Sequence, residues 1–279
     1  AGCEFNVSSP KQLGNILFDH LGLPYRKKKK DGANYSTDAS ILEGLIGVHP
    51  IIELILEYRN LAKLKSTYLD GLNNYILDDG RIHTIYKQTL TRTGRLSSAE
   101  PNLQNIPARD EMDRKVRRAF VPEYDLFLSA DYSQIDLRVL AHISNSEKMI
   151  EAFKNNEDIH TRVASDIFGV SPEEVTKSMR RTAKAVIFGI VYGISGFGLG
   201  ENLKINPSDA KKFIEKYLEL YPGVSEYMDN IKKEAHIYGS VRTLFNRKRT
   251  IEELNSTNYM VRSSGERMAL NTPIQGSAA

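Results

Sequence analysis

The chain has 279 residues, 41% of them hydrophobic, with a formal net charge of +3. That length allows one large or two small cored domains, and no apolar run approaches the roughly 20 residues that cross a bilayer. Cys3 is the only cysteine, which excludes an internal disulfide; with no signal-peptide pattern in view, the expected home is a reducing cytoplasm. The distribution of charge is more informative than its sum. Residues 87–118 hold eight Lys/Arg against four Asp/Glu, a local excess of +4, and residues 176–186 hold Lys177, Arg180, Arg181 and Lys184 with no acid. No internal repeat is present.

Ser8-Ser9-Pro10 is a helix start, and Leu13, Ile16, Leu17 and Leu21 form the apolar stripe behind it. Lys27 to Lys30, closed by Asp31-Gly32, reads as a charged turn, either a solvated loop or a phosphate contact. Thr37-Asp38 opens a helix through Ile46. A longer one follows His49-Pro50, with Ile52, Ile55, Leu56, Leu61 and Leu64 expected on its buried side. Ile82 to Tyr86 is strand-like. Pro101 and Pro107 then bracket a stiff loop carrying Asn102, Gln104 and Asn105. Amide side chains can read the acceptors every base pair shows in the minor groove, or they can simply satisfy loop backbone. Beside Arg95 and the local basic excess, nucleic acid is the stronger reading.

Leu126 to Ala130 reads as a buried strand ending on Asp131, a costly place for a carboxylate without a partner charge or metal. Ser133-x-x-Asp136 fits a capping box opening a helix to Ile143, so Asp136 has a purely structural explanation. Residues 147–178 read as helical, with turns at Asn155-Asn156 and Gly169 to Pro172. His160 is either a structural histidine or a ligand contact.

Arg180, Lys184, Phe188 and Tyr192 recur every four residues. On a helix that spacing drifts only about 40° per step, so the four share one side. A ligand along it would be anionic at one end and flat at the other, as a nucleoside triphosphate is. The helix dipole favours that orientation by about 0.3–1 kcal/mol. Each charge-assisted bond from Arg180 or Lys184 is worth roughly 1.5–3 kcal/mol, so the side chains decide it. A buried aromatic seam with a solvated basic end is the plainer alternative. Arg-x-x-x-Lys-x-x-x-Phe-x-x-x-Tyr-Gly resembles the fingers helix of family A DNA polymerases, the bacterial DNA polymerase I type.

Gly193, Gly196, Gly198 and Gly200 then read as a helix stop and a flexible or tightly packed bend, not a phosphate loop, since no strand precedes them. Helices are expected from Pro207 to Leu220 and from Tyr221-Pro222-Gly223 to Tyr238. Val241 to Leu244 and Arg247 to Arg249 form a basic strand pair. Arg267, Asn271 and Gln275 fall four apart on a last helix that Pro273 is expected to kink.

The resemblance spans every segment and implies an α+β right-hand architecture with an antiparallel palm sheet carrying Asp131. It implies a partial helical thumb over residues 1–72, palm over 73–143, helical fingers over 144–255 and a return to the palm over 256–279. The implied activity is that of a DNA-directed DNA polymerase of replication and repair, adding deoxynucleotides to a primer 3′-hydroxyl. Asp131 and the carbonyl of Tyr132 would bind two magnesium ions. Arg180, Lys184, Phe188, Tyr192, Gln134, Asp136 and His160 would hold the nucleotide, Lys184 at the leaving pyrophosphate. Arg95, Asn102, Gln104, Asn105, Arg267, Asn271 and Gln275 would meet primer-template DNA. The implied protein is a monomer, away from membranes.

Three positions depart from the pattern. Asp136 stands where most members carry Glu, which implies weaker exclusion of ribonucleotides. Ile187 and Ser264 stand where Asn and an aromatic are usual. The third family motif, His-Asp-Glu, does not occur in these residues, nor does a nuclease domain, so the chain alone is expected to be an incomplete catalytic unit. Two other readings stay open. A phage-type single-subunit RNA polymerase shares the Lys and Tyr-Gly spacing, though Phe188 and the acid at 136 favour deoxyribose. A non-catalytic template-primer binding fragment is the other.

Overall fold

The computed structural model describes residues 1–25, 34–107 and 111–279; the charged turn expected at Lys27 to Lys30 lies outside the described residues. It is helix-rich, with two small antiparallel ladders, and divides into two units: residues 1–87 with 97–127, and residues 88–96 with 128–279.

In the first unit Ser9 accepts the Gln12 amide and Pro10 occupies the first turn, which starts α1 (Pro10–Gly14). The helix widens into a π-helical turn over Asn15–His20. Helix α2 (Ala39–Glu43) is shorter than expected, giving way to turns from Gly44. Helix α3 (Ile51–Lys63) runs into a second π-helical turn, Leu64–Leu69, and then α4 (Asp70–Asn73). Leu13, Leu17, Phe18, Leu42, Ile52 and Ile55 form the core here. Each such side chain removed from water stabilises by roughly 1.5–3 kcal/mol. Leu61 is not among them and is exposed. Nine steps of about 100° from Ile52 place it on the opposite side of the helix.

Strand β1 (Ile85–Lys87) pairs antiparallel with β2 (Ser97–Ala99), Tyr86 opposite Ser98. Helix α5 (Glu111–Arg118) follows, ending on Lys115, Arg117 and Arg118, where cations suit the dipole.

The strand expected at Leu126 to Ala130 does not form. Leu126 is 85% exposed and Leu128 96%. A strand needs a neighbour to take its backbone hydrogen bonds, and none pairs with this run among the described residues. Asp131 is therefore exposed and carries no burial cost.

The second unit is built on α6 (Ile135–Ile143), α7 (Glu147–Lys154), α8 (Ile159–Phe168), α9 (Lys177–Val191), α10 (Gly196–Leu203), α11 (Pro207–Leu220) and α12 (Pro222–Tyr238). Leu137, Leu140, Met149, Ile159, Ile187 and Tyr217 are fully or almost fully buried in its core. Tyr217 and Tyr221 stack at 4.6 Å, and the Tyr221 hydroxyl donates to Asp166 at 2.7 Å, tying the end of α11 to α8. Burial, with Asp166 beside it, pushes the Tyr221 phenol far above its ordinary value.

The bend expected at Gly196 to Gly200 is instead helix α10. A Cβ on Gly196 would come within 3.0 Å of the Lys211 Cβ and one on Gly200 within 3.2 Å of the Pro207 Cα, so these glycines let α10 and α11 pack closely. Only Gly193, at φ +63°, acts as the expected helix stop.

Strand β3 (Ser240–Arg242) pairs with β4 (Lys248–Thr250), as the basic segments suggested. Helix α13 (Tyr259–Ala278) continues through Pro273 without ending there.

A stability prediction arises at the α11–α12 turn. A Cβ on Gly223 would stand 2.5 Å from the Ser144 backbone carbonyl, which no rotamer change can relieve. Gly223→Ala should cost about 1–3 kcal/mol by overpacking. Thermal unfolding of the variant beside the parent chain checks this, and an unchanged midpoint would contradict the packing described.

Candidate nucleotide site

Helix α9 opens where Thr176 accepts the Met179 amide at 3.2 Å. Ala183, Val186, Ile187, Gly189 and Ile190 face the core, which leaves the Arg180–Lys184–Phe188 side turned away from it. Tyr192 caps the helix just beyond its last turn and is 44% exposed. The basic residues thus lie toward the N-terminal end and the aromatics toward the C-terminal end, as the spacing requires. The Lys184 ammonium lies 5.8 Å from the centre of the Phe188 ring.

Helix α8 supplies His160 to the same face, its ring 5.9 Å from that of Phe188. His160 is almost fully buried, and its Nδ1 has no hydrogen-bond partner among the described residues. Burial lowers its pKa; Asp158 opposes that, while Arg180 and Lys184 add to it. A neutral imidazole with one unused nitrogen has a polar atom to offer a ligand.

Asp158, which sequence reasoning passed over, caps α8 by accepting the His160 amide at 3.2 Å. It also accepts the Thr161 hydroxyl at 2.8 Å and Arg180 Nε at 2.6 Å. Burial pushes the Asp158 carboxyl up, but the hydrogen bonds from Arg180, Thr161 and the His160 amide outweigh it and hold the pKa below the ordinary value. An Asp just before an apolar residue is a capping signal; the pairing with a residue 22 positions on has none.

At the other end of α9, helix α13 brings in two expected residues. Asn271 Nδ2 reaches the Val191 carbonyl at 3.5 Å, and Gln275 Nε2 donates to the Tyr192 hydroxyl at 3.2 Å. Close approach is possible because a Cβ on Gly193 would stand 2.8 Å from Arg267 Cγ. Arg267 itself donates to Ser263 at 3.0 Å within α13.

The expected capping box at Ser133 is not formed. Gln134 takes the left-handed conformation at φ 56° and is itself the cap of α6, with no side-chain capping bond. The helix starts one residue late for a Ser133 cap, and Asp136 is freed for another partner. Arg95 Nη2 pairs with Asp136 at 3.1 Å, the Asp136 side chain being only 15% exposed. Two residues expected at the primer end and the nucleotide sugar are therefore joined.

Asp131 and Tyr132 are exposed, and no three His, Cys, Asp or Glu side chains lie together among the described residues. Asp136 is paired with Arg95 instead of clustering with another acid. The acids described here do not by themselves make a two-ion site.

In the first unit, Asn102 caps a 3-10 turn (Leu103–Asn105) by accepting the Gln104 amide at 3.0 Å, and Gln104 Oε1 accepts the Ser98 amide at 3.2 Å. Both amides satisfy loop backbone as well as lying in the expected loop. Asn102 and Asn105 line a cavity of about 870 Å³ together with Lys63, Tyr68 and Tyr75. In the second unit a cleft of about 340 Å³ gathers Arg92 with Arg247, Lys248 and Arg249. Burial, with Arg92 near by, lowers the Arg249 pKa. Arg92 and β4 are far apart in sequence, and only the fold joins them.

The chain matches, over residues 1–279, the sequence family described as DNA polymerase family A. It is 55% identical over its whole length to DNA polymerase I of Streptococcus pneumoniae serotype 4, and 58% identical to that of Geobacillus stearothermophilus. It spans 32% of the length of each of those relatives. Among solved structures it is similar to the POL domain of Pol1 from M. smegmatis, a complex with DNA primer-template and dNTP. The TM-score there is 0.90 and the identity 45%, covering 99% of this chain and 49% of that one. The basic-to-aromatic face of α9 is thus carried by a chain that belongs to DNA polymerase family A.

Proposed function

We propose that these residues form part of the polymerase region of a DNA-directed DNA polymerase, with residues 1–72 in the thumb, 144–255 in the fingers, and 73–143 and 256–279 in the palm. The observation that carries the reading is the single face of α9, cationic at Arg180 and Lys184, aromatic at Phe188 and Tyr192, and flanked by His160. A deoxynucleoside triphosphate lies along it, phosphates on the cations and base and sugar against the rings. A primer 3′-hydroxyl gives up its proton to water as its oxygen attacks the α-phosphate, the bond to the β-phosphate breaks, and pyrophosphate leaves. Lys184 Nζ meets the negative charge developing on the pyrophosphate and donates a proton to it. Magnesium is the cofactor this reading implies. Asp131 and the Tyr132 carbonyl would contribute part of its ligand set, which the acids described here do not complete.

Arg95, Asn102, Gln104, Asn105, Arg267, Asn271 and Gln275 are proposed to meet primer-template DNA, with one monomer acting on one duplex. Gln275, bonded to the Tyr192 hydroxyl, would let minor-groove geometry bear on the nucleotide pocket. Gln134 and Asp136 lie beside the incoming sugar.

The sugar is where this reading is tested. Asp136 is shorter by one methylene than the Glu that most members carry, and Arg95 holds it. In a chain extended through the third carboxylate motif, Asp136→Glu should raise the preference for dNTP over rNTP by about tenfold, a 1.4 kcal/mol difference. Competitive single-nucleotide incorporation measures the ratio. An unchanged ratio would remove Asp136 from the sugar pocket and leave it a partner of Arg95 alone.

A further inference from the structure

We propose that Asp158 is a positioning residue for the triphosphate, pinning one edge of the Arg180 guanidinium so that the other edge is held ready for phosphate. This rests on the reading of α9 as the nucleotide face.

The Asp158 carboxylate does two jobs of different kind. Capping α8 at the His160 amide uses one side-chain oxygen, which Asn supplies as Asp does, while the Thr161 hydroxyl, now donating to the other oxygen, can turn to accept from an Asn amide. Binding Arg180 Nε at 2.6 Å uses the charge. The pair is half exposed, at 46% for Arg180 and 37% for Asp158, so solvent screens it and it contributes little to stability. Its consequence is geometric instead.

A guanidinium is flat, and its donors are arranged as a fixed fork. With Nε held by Asp158, the Nη1 and Nη2 groups make no bond among the described residues. They are the paired donors suited to two oxygens of one phosphate. A long flexible side chain ordered before binding does not have to be ordered by the ligand. His160 begins at the same cap, so Asp158 sets the start of α8 and the tilt of Arg180 together.

A carboxylate beside a triphosphate site also repels the ligand. The two effects oppose each other, and the balance decides the sign of the test. Arg180 stands between the carboxylate and any phosphate it binds through its far edge, and it neutralises most of that repulsion. Positioning therefore dominates.

The chain itself can be titrated with dATP and, separately, with inorganic tripolyphosphate, following heat release at fixed ionic strength. Asp158→Asn keeps the cap and removes the charge. It should weaken both ligands about tenfold while the thermal midpoint stays within a degree or two of the parent. In an Arg180→Ala background the same substitution should have no further effect, because its action passes through Arg180. Unchanged or tighter binding in Asp158→Asn, or full additivity with Arg180→Ala, would overturn the proposal. If Arg180→Ala weakens both ligands and Asp158→Asn does not, only the role of Asp158 falls. If Arg180→Ala itself leaves both affinities unchanged, the nucleotide reading of α9 falls, and this inference with it.

Discussion

Lys184→Ala should slow single-turnover incorporation roughly 10²–10³-fold, the loss typical of removing one group that stabilises developing charge. Affinity for primer-template should be almost unchanged. The Lys184 ammonium is exposed on α9, lies 5.8 Å from the centre of the Phe188 ring and forms no ion pair among the described residues. No acid among the described residues pairs with it, so in the proposed reading its charge meets the triphosphate. Arg180 differs in being paired with Asp158. Because pyrophosphate gains charge as the bond breaks, a cation there is worth more in the transition state than in the bound ground state. The rate should therefore fall more than nucleotide affinity does. The measurement is a rapid-quench series against dNTP concentration in a chain extended through the third carboxylate motif, with duplex affinity measured separately. Equal losses of duplex affinity and rate would place Lys184 on the DNA backbone instead.

What the residues made legible in advance is what local chemistry decides. Helices α11 and α12 run from Pro207 to Leu220 and from Pro222 to Tyr238, as Pro207 and Tyr221-Pro222-Gly223 indicate. The α9 face follows from a four-residue spacing, and the β3–β4 ladder from the strand-like basic segments at Val241 to Leu244 and Arg247 to Arg249. Where a residue's role depends on a distant partner, the same reasoning stopped. Leu126 to Ala130 has the composition of a strand, yet no strand pairs with it among the described residues and it stays in water. Gly196 to Gly200 look like a bend by propensity, but close packing of α10 on α11 makes the missing Cβ atoms an advantage.

The site divides the same way. Arg180, Lys184, Phe188 and Tyr192 share one helix and were readable from it. His160 is on a neighbouring helix, and its buried, unpartnered nitrogen emerges only from packing. The Asp158–Arg180 and Arg95–Asp136 pairs join residues 22 and 41 positions apart, where no local pattern operates. Gln134 in the left-handed region delays the helix by one residue, so the expected capping box does not form and Asp136 pairs with Arg95 instead.

The second large effect concerns residues 1–279 alone, which should bind primer-template weakly and fail to extend it. Asp131 is exposed, Asp136 is held by Arg95, and no cluster of three acidic, histidine or cysteine side chains occurs among the described residues. Two cations beside a triphosphate need anionic ligands from more than one carboxylate. The basic cleft at Arg92, Arg247 and Lys248 and the loop amides remain, so part of the DNA affinity should survive and should fall as salt rises.

The most direct measurement is a side-by-side primer-extension assay of residues 1–279 and a chain extended through the third carboxylate motif. Each is given template-coded dNTP or rNTP, with and without magnesium. Only the extended chain, with magnesium, should lengthen the primer, and it should add the templated deoxynucleotide in preference to the ribonucleotide. Extension by residues 1–279 at a comparable rate would contradict the ligand accounting. Preference for ribonucleotides, or no templated addition by the extended chain, would contradict the assignment as a DNA-directed DNA polymerase.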